Sequence, residues 1–118
     1  MEYRRLGRTG LQVSLLGMGT GGHNCLGQTT DPPRPRDEMV RFLRQVFDLG
    51  INLFDTAPAY MDSEEILGQA LGELPCDEVV VSTKVGLVAC GPDREVVLAT
   101  PEAIVESVEA SLRRLQVE

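Results

Sequence analysis

At 118 residues the chain is long enough for one domain, and 42% hydrophobic with 25% charged residues is the composition of a globular protein. A net charge of −7, with the basic residues scattered, argues against a phosphate-tracking nucleic-acid surface and against binding to an anionic membrane. Met1-Glu2-Tyr3-Arg4-Arg5 does not lead into an apolar run of secretory length, and Cys25, Cys76 and Cys90 are odd in number and far apart, so a cytoplasmic protein with reduced thiols is expected.

Tyr3-Arg4-Arg5-Leu6 and Leu11-Gln12-Val13-Ser14 flank Gly7-Arg8-Thr9-Gly10, which predicts a small hairpin at the start of the chain. Leu15-Leu16-Gly17-Met18-Gly19 is apolar without alternation, the pattern of a strand buried on both faces. From Gly19 to Arg36 the chain is rich in Gly, Thr and Pro, and Pro32, Pro33 and Pro35 predict a long loop. Between Asp37 and Leu49 the residues Met39, Val40, Leu43, Val46 and Phe47 recur at helical spacing, and Gly50 stands where a left-handed cap is expected.

Ile51-Asn52-Leu53-Phe54 reads as the next strand. A helix from about Ser63 to Leu71 follows, capped by Asp62 or Ser63, with Glu64 and Glu65 near its positive end. Val79-Val80-Val81-Ser82-Thr83 is a further strand ending at Lys84, and a loop carrying Gly86, Gly91 and Pro92 comes after it. Thr100-Pro101-Glu102 opens a last helix with cap, proline and acid in their favoured places, and Ile104, Val105, Val108, Leu112 and Leu115 give it one apolar face. The strands begin near positions 15, 51 and 79, close to the roughly 30 residues per unit of an eight-unit barrel, so they should be parallel. Three units cannot close such a barrel of about 250 residues, so the expectation is either a smaller open sheet or an incomplete chain.

Asp55 and Lys84 each follow directly on a predicted parallel strand, which puts both at the carboxyl edge where α/β active sites are built. If the strands are neighbours, about 4.8 Å separates them and the side chains can pair. Tyr60 lies in the same short loop as Asp55. A phenol is a reluctant proton donor at neutral pH; an ammonium beside it favours the phenolate, and an aspartate keeps that ammonium charged and in place. Such a phenol can act as general acid where hydride addition develops negative charge on a carbonyl oxygen. Taken singly, each residue has a plainer reading: Asp55 as a turn acceptor, Tyr60 as a half-buried loop aromatic, Lys84 as a snorkelling strand-end cation.

Gly17-Met18-Gly19-Thr20-Gly21-Gly22 matches G-x-G-x-x-G, but the dinucleotide fingerprint needs a helix opening at the glycines, and the triple-proline loop intervenes. Glycines that turn, or that let the backbone pass close to a flat ligand, are the better reading. His23 and Cys25 have no metal-site spacing, so no metal is expected. Cys76, at the entrance to the third strand, reads as structural, and Cys90 has no histidine neighbour to activate it.

With these residues in place the chain resembles the aldo/keto reductase family over essentially its whole length. Tyr3 through Ser14 looks like the hairpin that plugs the bottom of that family's barrel, and Leu16-Gly17-Met18-Gly19-Thr20 looks like its first strand and cofactor-facing turn. Phe54-Asp55-Thr56-Ala57 through Tyr60 is similar to the F-D-T-A-x-x-Y signature, Ser63 to Leu71 resembles the helix after it, and Ser107 through Leu115 the S-L-x-x-L helix end. The resemblance implies an α/β fold of the (β/α)8 TIM-barrel family, with residues 1–118 as its N-terminal portion: the hairpin and about three βα units. It implies an NAD(P)H-dependent oxidoreductase that reduces aldehydes and ketones or oxidises alcohols, with NADPH the expected cofactor and NADH the other candidate. Tyr60 would be the proton donor, Lys84 its activator and Asp55 the residue that holds Lys84; Gly19, Thr20 and Asp55 would neighbour the nicotinamide. The family's fourth catalytic residue is a histidine ending the fourth strand, a strand that should begin just after Leu115, and His23 is in the wrong loop to replace it. The family's main dinucleotide-phosphate contacts come from the last two barrel strands, so the 118-residue chain alone is expected to be inactive. The expected partner is a small carbonyl or alcohol substrate, with oligomeric state left open. A non-catalytic, reductase-like regulatory or interaction module is the alternative, and a small flavodoxin-like domain would need more strands than the chain offers.

Overall fold

A computed structural model describes residues 1–75, 77–85 and 100–118. The turn Gly7 to Gly10 closes an antiparallel hairpin of β1 (Tyr3–Arg5) and β2 (Gln12–Ser14), with Tyr3 opposite Ser14 and Arg5 opposite Gln12. The strands β3 (Met18–Gly19), β4 (Leu53–Asp55) and β5 (Val80–Ser82) form a second, parallel sheet in the order β3-β4-β5. Helix α1 (Arg36–Asp48) joins β3 to β4, α2 (Ser63–Leu71) joins β4 to β5, and α3 (Pro101–Leu115) follows β5. These are the three βα units expected from the spacing, and their strands are parallel.

The core lies between the sheet and its helices. Val40, Leu43 and Val46 from α1, Phe54 from β4, Ile66, Leu67, Ala70 and Leu71 from α2, and Leu115 from α3 form one buried cluster. Strand alternation does the sorting: Phe54 is fully buried, whereas its neighbours Leu53 and Asp55 are only half-buried. Gly50 ends α1 with φ +90° and its N–H on the Phe47 carbonyl at 2.7 Å, a left-handed turn that favours glycine. The hairpin is fastened by Asn52, whose side chain accepts from Ser14 N at 2.8 Å and donates to the carbonyls of Gln12 at 2.9 Å and Glu78 at 3.0 Å.

Several local expectations are corrected. The run from Leu15 to Gly19 is not a strand buried on both faces: only Met18 and Gly19 pair with β4, and Leu15 and Leu16 are 55% and 62% exposed. The reason is positional, since β3 is an edge strand and the leucines precede its pairing. The second strand starts at Leu53 rather than Ile51; the Asn52 backbone N–H goes to Ser14 Oγ of the hairpin at 3.1 Å instead of to a neighbouring strand. The apolar face of α3 is covered only near its end, where Ser111 and Leu115 are buried; Ile104, Val105 and Val108 are exposed. Helical periodicity reports that a face is apolar, not that something packs on it. Neither Asp62 nor Ser63 caps α2 with its side chain. Asp62 turns instead to Arg36 at 2.6 Å, and its N–H is taken by the Gln28 side chain at 2.9 Å. Thr100 does cap α3, accepting from Ala103 N at 3.2 Å. The expected loop with Gly86, Gly91 and Pro92, as well as Cys76 and Cys90, lies outside the described residues. Among the described residues no helix is long and apolar enough to cross a membrane.

Gly68 is where α2 meets the end of α3. A Cβ there would strike the Arg114 carbonyl oxygen and stand 2.9 Å from the Leu115 carbonyl carbon, both backbone atoms that cannot rotate away. Gly72, one turn on, has nothing nearer than 3.5 Å and a helical φ of −60°. Gly68→Ala should therefore destabilise the chain by about 1–3 kcal/mol, whereas Gly72→Ala should be neutral or stabilising by about 0.4–1 kcal/mol. Urea unfolding of the two variants checks this; equal midpoints would contradict the close helix approach.

Candidate active site

The parallel register brings the carboxyl ends of all three strands level. Gly19 stands opposite Asp55, and Asp55 opposite Ser82. The ladder then runs one residue past the strands: Thr20 N donates to the Asp55 carbonyl at 2.8 Å, and Thr56 N donates to the Ser82 carbonyl at 2.8 Å. Asp55 and Lys84 thus lie on adjacent strand ends. The Lys84 ammonium donates to Asp55 Oδ1 at 2.6 Å and to the Thr56 carbonyl at 2.9 Å, and lies 5.0 Å from the centre of the Tyr60 ring. The three residues singled out for chemistry are thereby within one small cluster.

Partial burial works against the charge on Lys84, and the hydrogen bond it donates to Asp55, together with Tyr60 and Coulombic attraction, outweighs that burial, so the lysine pKa is raised above 10.5. The ammonium is therefore held charged across the neutral range. With 38% of the lysine and 48% of the aspartate side chain exposed, the pair is reachable from solvent and screened by it. Lys84 is also the chain's single lysine, against ten arginines.

Tyr60 is held by its surroundings on two sides. The turn Ala57 to Ser63 is closed by Tyr60 N on the Ala57 carbonyl at 3.0 Å and by Ser63 N on the Tyr60 carbonyl at 3.0 Å. Gly21 lies flat against the ring, where a Cβ would come 2.7 Å from two ring carbons. One member of the glycine-rich stretch thus has a defined role, since Gly21 makes room for Tyr60. The next helix in the chain after these glycines opens only at Arg36.

Beneath the cluster runs a layer of buried hydroxyls. Thr20 and Thr56 are fully buried, and Thr20 Oγ1 donates to Thr56 Oγ1 at 2.8 Å; Ser63 Oγ donates to the Thr20 carbonyl at 3.1 Å. The Thr20 side chain faces the protein interior, so of the expected cofactor-side neighbours only Gly19 and Asp55 present surface to a solute. Gln28, unremarked in the sequence, spans the long loop and the Tyr60 turn: its amide donates to the Cys25 carbonyl at 2.6 Å and to Ser63 Oγ at 3.2 Å. Its position within a Gly- and Pro-rich loop gives no periodic signal that would have singled it out. His23 is exposed and offers its carbonyl to Thr29 Oγ1 at 3.1 Å. Among the described residues no group of acids, histidines and cysteines is placed to hold a metal.

A groove of about 400 Å³ adjoins this edge, lined by Met18, Gly19, Gly21, Leu26, Met39 and Phe42. A larger one of about 870 Å³ lies among the helices, at Arg36, Arg44, Gln69 and Gln116, away from Lys84. Arg36 and Arg44 are already engaged there, by Asp62 and Glu73 respectively, which leaves neither with an unpaired charge for a ligand.

Parallel strands with a carboxylate, an ammonium and a phenol gathered at their carboxyl ends define an α/β protein with a candidate site at that edge. The chain belongs to the aldo/keto reductase family, whose model matches residues 16–118. It is 38% identical over 122 residues to L-galactose dehydrogenase of Arabidopsis thaliana, covering 100% of this chain and 35% of that protein. It is 37% identical over 132 residues to the NADH-specific methylglyoxal reductase of Escherichia coli, covering 100% of this chain and 39% of that protein. Its fold superposes with a TM-score of 0.80 on a candidate aldo-keto reductase from Pseudomonas aeruginosa, at 38% identity over 98% of this chain and 43% of that one. The neighbouring structures are (β/α)8 barrels, and the hairpin and three βα units seen here correspond to part of one. The chain spans 35–39% of the length of the two curated relatives.

The raised pKa of Lys84 has a signed consequence. Its contribution to stability is fully present below the unfolded value of about 10.5 and is lost as pH climbs through the higher folded value. The stability difference between the native chain and Lys84→Met should hence be flat from neutral pH to about 10 and shrink above it. Denaturant unfolding at stepped pH checks this, and a difference that decays below about pH 9 would contradict the assignment.

Proposed function

We propose that residues 1–118 form the N-terminal part of the barrel domain of an NAD(P)H-dependent aldo/keto reductase, which transfers hydride between a nicotinamide and an aldehyde or ketone carbonyl, with Tyr60 as proton donor. The observation that carries this reading is the bond from Lys84 to Asp55 at 2.6 Å beneath a tyrosine ring 5.0 Å away. In reduction, the carbonyl carbon gains the hydride and its oxygen becomes negative; the Tyr60 hydroxyl donates a hydrogen bond to that oxygen and then its proton. Lys84 stabilises the phenolate left behind, and Asp55 and the Thr56 carbonyl hold the ammonium against the ring. Alcohol oxidation is the same path reversed.

The nicotinamide, when bound, supplies or accepts the hydride. The residues present suit a flat ring on that side: Gly19 is exposed, a Cβ on it would touch nothing within 4 Å, and the groove along Met18 and Gly21 is open beside it. Thr20 contributes from below, by fixing the backbone between Gly19 and Gly21 through Thr56 and Ser63. NADPH is the proposed cofactor. NADH is the other candidate, and the Escherichia coli relative is named NADH-specific. The grip on the dinucleotide phosphates and a fourth catalytic group, a histidine, belong in this reading to barrel strands beyond these 118 residues. The isolated chain is accordingly proposed to be inactive, with a small carbonyl or alcohol as the substrate of the complete barrel.

A chimera in which residues 1–118 replace the matching third of the Escherichia coli methylglyoxal reductase tests this. The chimera should reduce methylglyoxal with NADH, Tyr60→Phe should lower kcat by about 10²–10⁴-fold, and cofactor affinity should be unchanged. A Tyr60→Phe chimera as active as its parent would sink the proposal.

A further inference from the structure

Glu64 is an acid that the proposed reduction does not use, and it is fully buried in the first turn of α2. A carboxylate taken out of water is tolerated only where both of its oxygens find strong partners. Here they do, in two different elements. Oε2 accepts from Arg114 Nε at 2.6 Å, in the last turn of α3, and Arg114 also reaches Ser111 Oγ at 3.2 Å. Oε1 accepts from the Thr83 hydroxyl at 2.6 Å. Thr83 is the residue between the end of β5 and Lys84, and it is otherwise exposed.

The position of Thr83 makes this bond more than a buried pair seeking partners. The ladder between β4 and β5 ends with Thr56 N on the Ser82 carbonyl. Beyond Ser82, the described bonds that fasten residues 83 and 84 are the Thr83 hydroxyl on Glu64 and the Lys84 ammonium on Asp55 and Thr56. A lysine carries a stem of flexible methylenes, and ordering them against one aspartate costs side-chain entropy. Fixing the residue before it removes much of the backbone freedom that would otherwise add to that cost.

We propose that Glu64 is a positioning residue for Lys84: held by Arg114 on one oxygen, it clamps Thr83 with the other and so aims the lysine stem at Asp55 and Tyr60. The docking of the α3 end onto α2 thereby becomes part of the candidate site. The inference rests on the proposed function only for the purpose of Lys84; the clamp itself is tested without any activity.

Because Lys84 is the only lysine, a chain made with carbon-13-labelled lysine carries one lysine side-chain signal, whose pH titration reads this ammonium alone. The groups facing it among the described residues are Asp55 from the end of β4 and Tyr60 from the following turn, with Glu64 one residue removed on α2. Thr83→Ser keeps the hydroxyl and should titrate with the native chain. Thr83→Val keeps the shape, loses the hydroxyl, and should titrate lower by roughly half a unit or more. Asp55→Asn, as reference, should fall further. Thr83→Val titrating with the native chain while Asp55→Asn shifts would overturn the clamp, as would Thr83→Ser shifting as far as Thr83→Val. An inactive chimera together with a shifted Thr83→Val signal would sink the reductase reading and leave the clamp standing.

Discussion

The arrangement depends on β4 being the middle strand of three parallel ones. In a parallel sheet all carboxyl ends face the same way, so whatever each strand delivers at or just after its last paired residue arrives at one edge. Here β4 delivers Asp55, Thr56 and, within one turn, Tyr60; β5 delivers Thr83 and Lys84; β3 delivers Gly19, Thr20 and Gly21. With the register fixed at Gly19, Asp55 and Ser82, strand spacing brings Asp55 and Lys84 within bonding reach of each other.

The same edge is polar and still well satisfied. Thr20, Thr56, Ser63 and Glu64 are fully buried, and among the described residues no buried side-chain polar atom lacks a hydrogen-bond partner. The core behind them is apolar and conventional, from Leu43 and Phe54 to Ile66 and Leu67. The division is physical: apolar burial between sheet and helices supplies cohesion, and the hydroxyl and carboxylate layer at the strand ends supplies direction. The exposed Leu15, Leu16, Ile104, Val105 and Val108 belong to surfaces that neither sheet nor helices cover in these three units.

Much of this was legible in the sequence because it depends on short-range periodicity. The bounds of α2, the Thr100 cap of α3, the left-handed Gly50 and the parallel order all follow from residues close in the chain. So does the meeting of Asp55 and Lys84, since one ends β4 and the other comes two residues after the end of β5. What escaped depends on distant partners. Glu64 reads as an acid at a helix's positive end because nothing nearby reveals that Arg114, 50 residues on, will close against it. Asp62 reads as a cap because Arg36 and Gln28, which take its side chain and its N–H, sit across a loop. The apolar stripe of α3 reads as buried because a stripe is all that a sequence displays.

The central claim is that Asp55, Lys84 and Tyr60 act as one proton-donating unit and not as three residues that happen to be close. The most direct measurement is a double-mutant cycle on carbonyl reduction in the completed barrel, pairing Tyr60→Phe with Lys84→Met. Residues that work as a unit are strongly non-additive, so the double variant should be scarcely slower than Tyr60→Phe alone. If the two losses instead multiply, the lysine acts independently of the phenol and the single-unit claim is contradicted.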